Sequence, residues 1–77
     1  MIKITVPFVL VEGENTLRIE YPIDLETLPA IEINSVEPDI GPYTIELYDN
    51  SFVLRFINLE FLGLGKIIKG EIKYSLY

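Results

Sequence analysis

Residues 52–57 read Phe-Val-Leu-Arg-Phe-Ile, which as an extended chain is apolar on both faces except at Arg55. Successive side chains of a β-strand point to opposite sides of the sheet, so this strand needs cover on both sides. We therefore predict that it is central in its sheet, or else half covered by another molecule. The turn residues 49–51, Asp-Asn-Ser, predict that it pairs antiparallel with the segment before it.

The rest of the chain has the same extended character. Its composition disfavours helices, because 21 β-branched residues stand against a single alanine. Turn residues recur about every eight to twelve positions, a spacing typical of small sandwiches and barrels. We predict one all-β domain over residues 1–77, a small antiparallel β-sandwich or partly open barrel of about six strands with no substantial helix. The other predicted strands are 2–11, 16–21, 30–36, 43–48 and 67 to the end.

Alternation within the strands predicts which side chains face the core. Leu17, Ile19 and Tyr21 face inward in one strand, whereas Ile31, Ile33 and Ser35 share a face in another. In the last strand the even-numbered side chains share one face and the odd-numbered ones the other. Of the five tyrosines, this parity sends those at 21, 43 and 74 towards the core and those at 48 and 77 outward.

The first strand carries a conflicting signal. Its stretch Val6–Val11 is apolar on both faces, which predicts burial on both sides, but Pro7 requires an edge position or a bulge. The residues that follow, 12–15, read Glu-Gly-Glu-Asn and predict a hairpin-like turn.

The residue types that carry most enzyme chemistry are missing. The chain has no His, Cys or Trp, so it lacks the usual base of a nucleophilic triad and the ligands of zinc, haem and iron–sulfur sites. We predict no enzymatic activity, no catalytic residue, no cofactor and no metal site. Calcium is the least implausible metal, because the acidic turns offer oxygen ligands, but none of them has EF-hand spacing.

The charge also restricts the partners. Twelve Asp and Glu against six Lys and Arg give a net charge of −6, which disfavours direct binding to a phosphate backbone. No apolar run approaches the roughly 20 residues of a membrane helix, and the start of the chain lacks the small-residue cleavage site of a signal peptide. We expect no membrane association, no retained signal peptide or transmembrane segment, and a location in a virion or the cytoplasm.

Size and hydropathy together predict association with other subunits. A chain of 77 residues without disulfides buries only about 60% of its unfolded surface, yet 49% of its residues are hydrophobic and its mean hydropathy is +0.33. Apolar side chains in excess of a small core face water unless a partner covers them. We therefore expect a homo-oligomer or a part of a larger hetero-assembly, in which protein subunits are the partners.

These observations lead to a non-enzymatic structural or assembly protein, a small β module that packs against neighbouring subunits of a complex such as a viral particle. Two alternatives remain, a small acidic inhibitor that blocks a host enzyme and a carbohydrate or peptide adhesin. The loop 58–66 is unusually apolar for a connection, and Lys69 and Lys73 can meet a partner's acidic side chains. The predicted interface residues are Val53, Ile57, Phe61, Leu62, Leu64, Lys69, Lys73 and Tyr77.

Overall fold

The computed structural model describes residues 1–22, 30–59 and 66–77. Over these ranges the chain forms six β-strands and no helix, in two three-stranded antiparallel sheets that do not close into a barrel. Sheet A has the order β1-β6-β3 and sheet B the order β2-β5-β4. The predicted all-β class is confirmed. The strands are β1 (Ile2–Val11), β2 (Thr16–Glu20), β3 (Ile31–Glu37), β4 (Tyr43–Leu47), β5 (Ser51–Phe56) and β6 (Ile67–Leu76).

Strand β5 is the centre of sheet B, as its two-sided apolar sequence predicts. Its inward side chains Phe52, Leu54 and Phe56 are buried, and so are Ser51 and Val53 on its outer side. It pairs antiparallel with β4 through the tight connection at residues 48–50. This hairpin is the one predicted from the turn residues. β5 contributes its three inward side chains to the centre of the core.

The two sheets meet through aromatic side chains. The ring of Phe52 on β5 lies 5.0 Å from that of Tyr74 on β6, edge to face at 74°, and 6.0 Å from that of Tyr21 after β2. Phe52 and Tyr74 are fully buried. Because Tyr74 belongs to sheet A and Phe52 to sheet B, this cluster holds the sheets face to face. The predicted inward direction of Tyr21 and Tyr74 is confirmed, as is the outward direction of Tyr48 and Tyr77.

Strand β1 is an edge strand, which confirms the expectation from Pro7 and corrects the expectation of two-sided burial. Its inward side chains Phe8 and Leu10 are buried, but Val9 and Val11 on the outer side are 53% and 45% exposed. The physical reason is that sheet B covers only the inner face of sheet A, and no described residue covers the outer one. An apolar run on both faces therefore leaves one row of side chains in water.

A β-bulge in β3 changes its predicted face. Ile33 lies opposite Tyr74, but the register then shifts, so that Ser35 lies opposite Lys73 and Val36 opposite Ile72. Val36 thus joins Ile31 and Ile33 against the core. The prediction that Ser35 shares their face is wrong, because the extra residue of a bulge reverses the alternation after it.

Two core hydroxyls are buried without a hydrogen-bond partner in the described part of the chain, those of Tyr21 and Tyr74. Burial raises the pKa of both phenols, because it disfavours the charged form. A buried hydroxyl that makes no hydrogen bond loses its hydration without compensation, at about 1–3 kcal/mol.

We therefore expect Tyr74→Phe to stabilise the fold by about 1 kcal/mol, since it removes the unpaired oxygen and keeps the ring that contacts Phe52. Urea unfolding followed by far-UV circular dichroism measures the change. Tyr48→Phe is the matched control, because the Tyr48 hydroxyl donates a 2.7 Å hydrogen bond to Glu46 Oε2. A Tyr74→Phe variant less stable than the parent would show that its hydroxyl has a partner.

Candidate interaction surface

Within residues 1–22, 30–59 and 66–77, the outer face of sheet A is open to solvent. The register of β1 on β6 sets its layout, because Lys3 lies opposite Ser75, Thr5 opposite Lys73 and Val11 opposite Ile67. Three of the four lysines of an otherwise acidic chain lie here. The outer face of sheet A consists of Lys3, Thr5, Pro7, Val9 and Val11 from β1, of Ile67, Lys69, Glu71, Lys73 and Ser75 from β6, and of Glu32, Ser35 and Glu37 from β3.

Apolar side chains form one end of this face. Val11 and Ile67 are a cross-strand pair, and Val9 lies two residues along the same row, opposite Lys69. Val9, Val11 and Ile67 are 53%, 45% and 54% exposed, and we call these three residues the apolar patch. Large apolar side chains grouped in this way and rimmed by a charged residue are typical of a protein–protein contact.

A polar groove lies at the other end of the face. It has a volume of about 520 Å³, and Lys3 and Lys73 are among the residues that line it. Asn34 Nδ2 donates a 2.8 Å hydrogen bond to Ser75 Oγ, which is buried at the groove floor. The Tyr77 hydroxyl donates a 3.1 Å hydrogen bond to Glu32 Oε2, and this bond is the main reason that the pKa of Tyr77 is raised. Two ammonium groups thus stand beside a floor of paired polar groups.

The outer face of sheet B has a different character, because its polar side chains bind one another. Arg18 Nη1 donates a 2.8 Å hydrogen bond to Ser51 Oγ, and its guanidinium lies 5.3 Å from the ring centre of Tyr48. Glu46 accepts hydrogen bonds from Tyr48 and from Arg55 Nε, the latter at 3.0 Å. These two bonds, the one from Tyr48 first, lower the pKa of Glu46. The bond to Glu46 raises the pKa of Tyr48 in turn.

This network affects the accessibility of one predicted interface residue, Val53. Val53 lies between Arg18 and Glu46 in the register of sheet B and is only 6% exposed. The expectation that Val53 contacts a partner therefore needs correction, because the long polar side chains on either side already cover it. Ile57, just after β5, is 44% exposed and remains free to contact a partner.

The other predicted interface residues fall into two groups. Lys69 and Lys73 lie on the outer face of sheet A, and the 62%-exposed Tyr77 lines the polar groove next to Lys73. The structure thus brings these three residues to one surface, away from Ile57. The remaining predictions, Phe61, Leu62 and Leu64, lie outside the described residues.

Sequence reasoning missed the apolar patch of Val9, Val11 and Ile67. The signal for it was present in Pro7, because a strand that tolerates proline is an edge strand. An edge strand of an antiparallel sheet commonly has one solvated face. The odd-numbered side chains of β1 were therefore candidates for exposure, in spite of their apolar character.

The described residues contain no group of three or more His, Cys, Asp or Glu side chains placed to hold a metal ion. No helix in residues 1–22, 30–59 or 66–77 is long and apolar enough to cross a membrane. No family model, curated protein or solved structure matches this chain.

Proposed function

We propose that this protein is a non-enzymatic assembly module that packs against neighbouring protein subunits of a larger complex, such as a viral particle. The observation that carries the proposal is the apolar patch on the outer face of sheet A, where Val9, Val11 and Ile67 are each about half exposed. A fold of this size gains stability when neighbouring subunits cover such side chains.

The charge distribution makes this face less acidic than the chain as a whole. The chain carries a net charge of −6, yet Lys3, Lys69 and Lys73 on the face that holds the apolar patch balance Glu71 of β6 and the glutamates 32 and 37 of β3. Exposed lysines on the same face as an apolar patch guide an acidic partner segment and set its orientation more than they add affinity. Another copy of this chain supplies such a segment, because acidic residues exceed basic ones twofold over the sequence.

The outer face of sheet B does not suit this role equally well. Its central residue Val53 is buried, and the side chains of Arg18, Tyr48, Glu46 and Arg55 are engaged with their neighbours. A partner that packed here would have to replace these hydrogen bonds. The outer face of sheet A offers apolar area at a smaller cost in lost hydrogen bonds.

Sedimentation velocity over a wide range of protein concentration tests the proposal. We expect species heavier than the 8.8 kDa single chain, and we expect Val11→Thr combined with Ile67→Thr to weaken association. Each replaced side chain loses about 1 kcal/mol of apolar burial, so the pair should raise the half-association concentration by tenfold or more. Threonine keeps the β-branched shape that suits a strand.

The matched control is Ile45→Thr combined with Leu47→Thr. These side chains are 40% and 44% exposed on β4, at the edge of sheet B, so the control removes similar exposed apolar area from another part of the molecule. We expect it to leave association unchanged. A parent protein that stays monomeric at every concentration, or two double variants that weaken association equally, would contradict the proposal.

A further inference from the structure

The four sheet edges in the described part of the chain differ in how well they are protected against pairing with another strand. β2 and β4 are edges of only five residues each, and β3 has a bulge and carries Glu32 and Glu37. β1 is ten residues long, pairs with β6 without a register shift, and contains Lys3 as its sole charged residue. Short length, bulges, proline and charged side chains, lysine above all, are the usual protections of an edge. β1 carries only Lys3 and Pro7 along ten residues, and it has neither a bulge nor a short length.

The turn after β1 shows which backbone groups face its free edge. The amide of Val11 donates a 2.9 Å hydrogen bond to Glu14 Oε1, and its carbonyl accepts a 3.0 Å hydrogen bond from the amide of Glu14. Both groups of Val11 therefore point away from β6. Because backbone direction alternates along an antiparallel strand, Lys3, Thr5 and Val9 present their amide and carbonyl groups to the same free edge. Pro7 has the same parity, so its missing amide leaves the pairing with β6 intact.

From this geometry we infer that β1 pairs antiparallel with β1 of a second copy, about a two-fold axis at Val6. The inference rests on the proposed assembly function and names one partner in it. In this register Lys3 lies opposite Val9 of the second copy, and Thr5 lies opposite Pro7 of the second copy. The two copies of sheet A become one continuous sheet, and the two outer faces become one surface with twice the apolar and lysine-bearing area.

The positions of Pro7 and Val11 select this register over its neighbours. With the axis at Pro7, the two prolines face each other without an amide donor, and Lys3 faces Val11, whose backbone groups are already bound to Glu14. With the axis at Thr5, Lys3 faces Pro7 and loses one of its two bonds. Within β1, the axis at Val6 allows six backbone hydrogen bonds, two in each Lys3–Val9 pair and one in each Thr5–Pro7 pair, whereas the axes at Pro7 and at Thr5 allow four each.

Side chains of β1 favour a second copy over an unlike strand. The lysines at position 3 lie at opposite ends of the seam, opposite valine, so that no like charges meet. On the inner face, Ile4 and Val6 are only half-buried because β1 is outermost in its sheet. The second copy places Val6 against Val6 and Phe8 against Ile4. The partly exposed inner row of each copy is therefore covered by its own counterpart, as a two-fold contact requires.

Disulfide trapping tests the inference, and the absence of native cysteine makes a single introduced thiol unambiguous. At the axis the Val6 Cα atoms of two copies lie about 4.5 Å apart, within the range of roughly 4.4–6.8 Å that a disulfide spans. We expect the Val6→Cys variant, oxidised mildly at low concentration, to form a covalent dimer that reductant dissolves.

The control is Thr5→Cys, one residue away on the outer face and more exposed than Val6. In this register the two Thr5 Cα atoms are roughly 8 Å apart, beyond the reach of a disulfide. Random collision would link the exposed Thr5→Cys variant faster than Val6→Cys. A dimer yield that is equal or higher for Thr5→Cys would therefore overturn the inference.

Two further measurements separate this inference from the proposed function. Val9→Pro removes an amide that faces the free edge, so it should leave the fold intact and abolish cross-linking of Val6→Cys. Cross-linking should persist in the Val11→Thr/Ile67→Thr background, because those side chains lie outside the seam. If the protein associates but Val6→Cys does not cross-link, the seam is wrong and the assembly function stands. A protein that neither associates nor cross-links contradicts both.

Discussion

Replacing Gly70 with alanine is expected to lower the free energy of unfolding by about 3 kcal/mol, at the upper end of overpacking costs. A Cβ atom at this position would collide with the backbone carbonyl oxygen of Glu37 and would lie 2.8 Å from both Phe8 Cε1 and Pro38 Cδ. The Glu37 oxygen is part of the backbone, so no side-chain rotation relieves the collision. The end of β3 would have to move away from β6. Urea denaturation followed by far-UV circular dichroism measures the loss.

Gly13→Ala is the control for the Gly70 variant. Gly13 has a φ of +93° and nothing within 4 Å of an added Cβ, so alanine there meets only the conformational cost of a left-handed residue, about 1–2 kcal/mol. We expect the Gly70 variant to be clearly less stable than the Gly13 variant. The close approach of β3 to β6 at Gly70 would be refuted by a Gly70→Ala protein as stable as the parent.

The features predicted correctly from sequence are those that depend on alternation within a single strand. The inward direction of Leu17, Ile19 and Tyr21 follows from a period of two, and all three are buried. The same parity holds along β6, where Ile72 and Tyr74 are buried. A strand with polar and apolar residues in turn has only one orientation that buries its apolar side, so local sequence is sufficient.

Strand pairing was beyond sequence reasoning except at one hairpin. The chain passes from one sheet to the other at every connection but that between β4 and β5, so the turn at residues 12–15 joins β1 of sheet A to β2 of sheet B. That turn resembles a hairpin in sequence, yet β1 pairs with β6 from the far end of the chain. Turn residues specify a reversal of direction and not which strand lies alongside.

The candidate surface was predicted in part. Lys69, Lys73 and Tyr77 could be assigned from parity alone, because alternation in β6 sends odd-numbered side chains outward. The burial of Val53 could not be predicted from parity, since it depends on Arg18 and Glu46 from two other strands. The exposure of Val9 likewise depends on the absence of a covering layer over β1 in the described structure. Which apolar residues face solvent is thus decided by tertiary neighbours, even where the strand itself is evident.

Phe52→Ala is expected to have the largest effect of any single substitution and to leave the fold marginally stable at 25 °C. Truncation of a fully buried phenylalanine costs about 3–5 kcal/mol, and Phe52 is 0% exposed. That cost includes the loss of its aromatic contacts with Tyr74 and Tyr21. A domain of this length has a total stability on the order of 4–12 kcal/mol, so the substitution removes a large part of it.

Phe52→Leu and Tyr48→Ala are the matched variants for this test. Leucine keeps most of the buried volume, so Phe52→Leu should remain folded with a loss of about 1–2 kcal/mol. Tyr48→Ala removes an aromatic ring of similar size that is 42% exposed on sheet B, and should cost about 1 kcal/mol or less because it leaves no cavity. Amide chemical-shift dispersion in proton NMR distinguishes folded from unfolded chains. If Phe52→Ala stays folded and loses no more stability than Tyr48→Ala, the two sheets are not held together by this aromatic cluster.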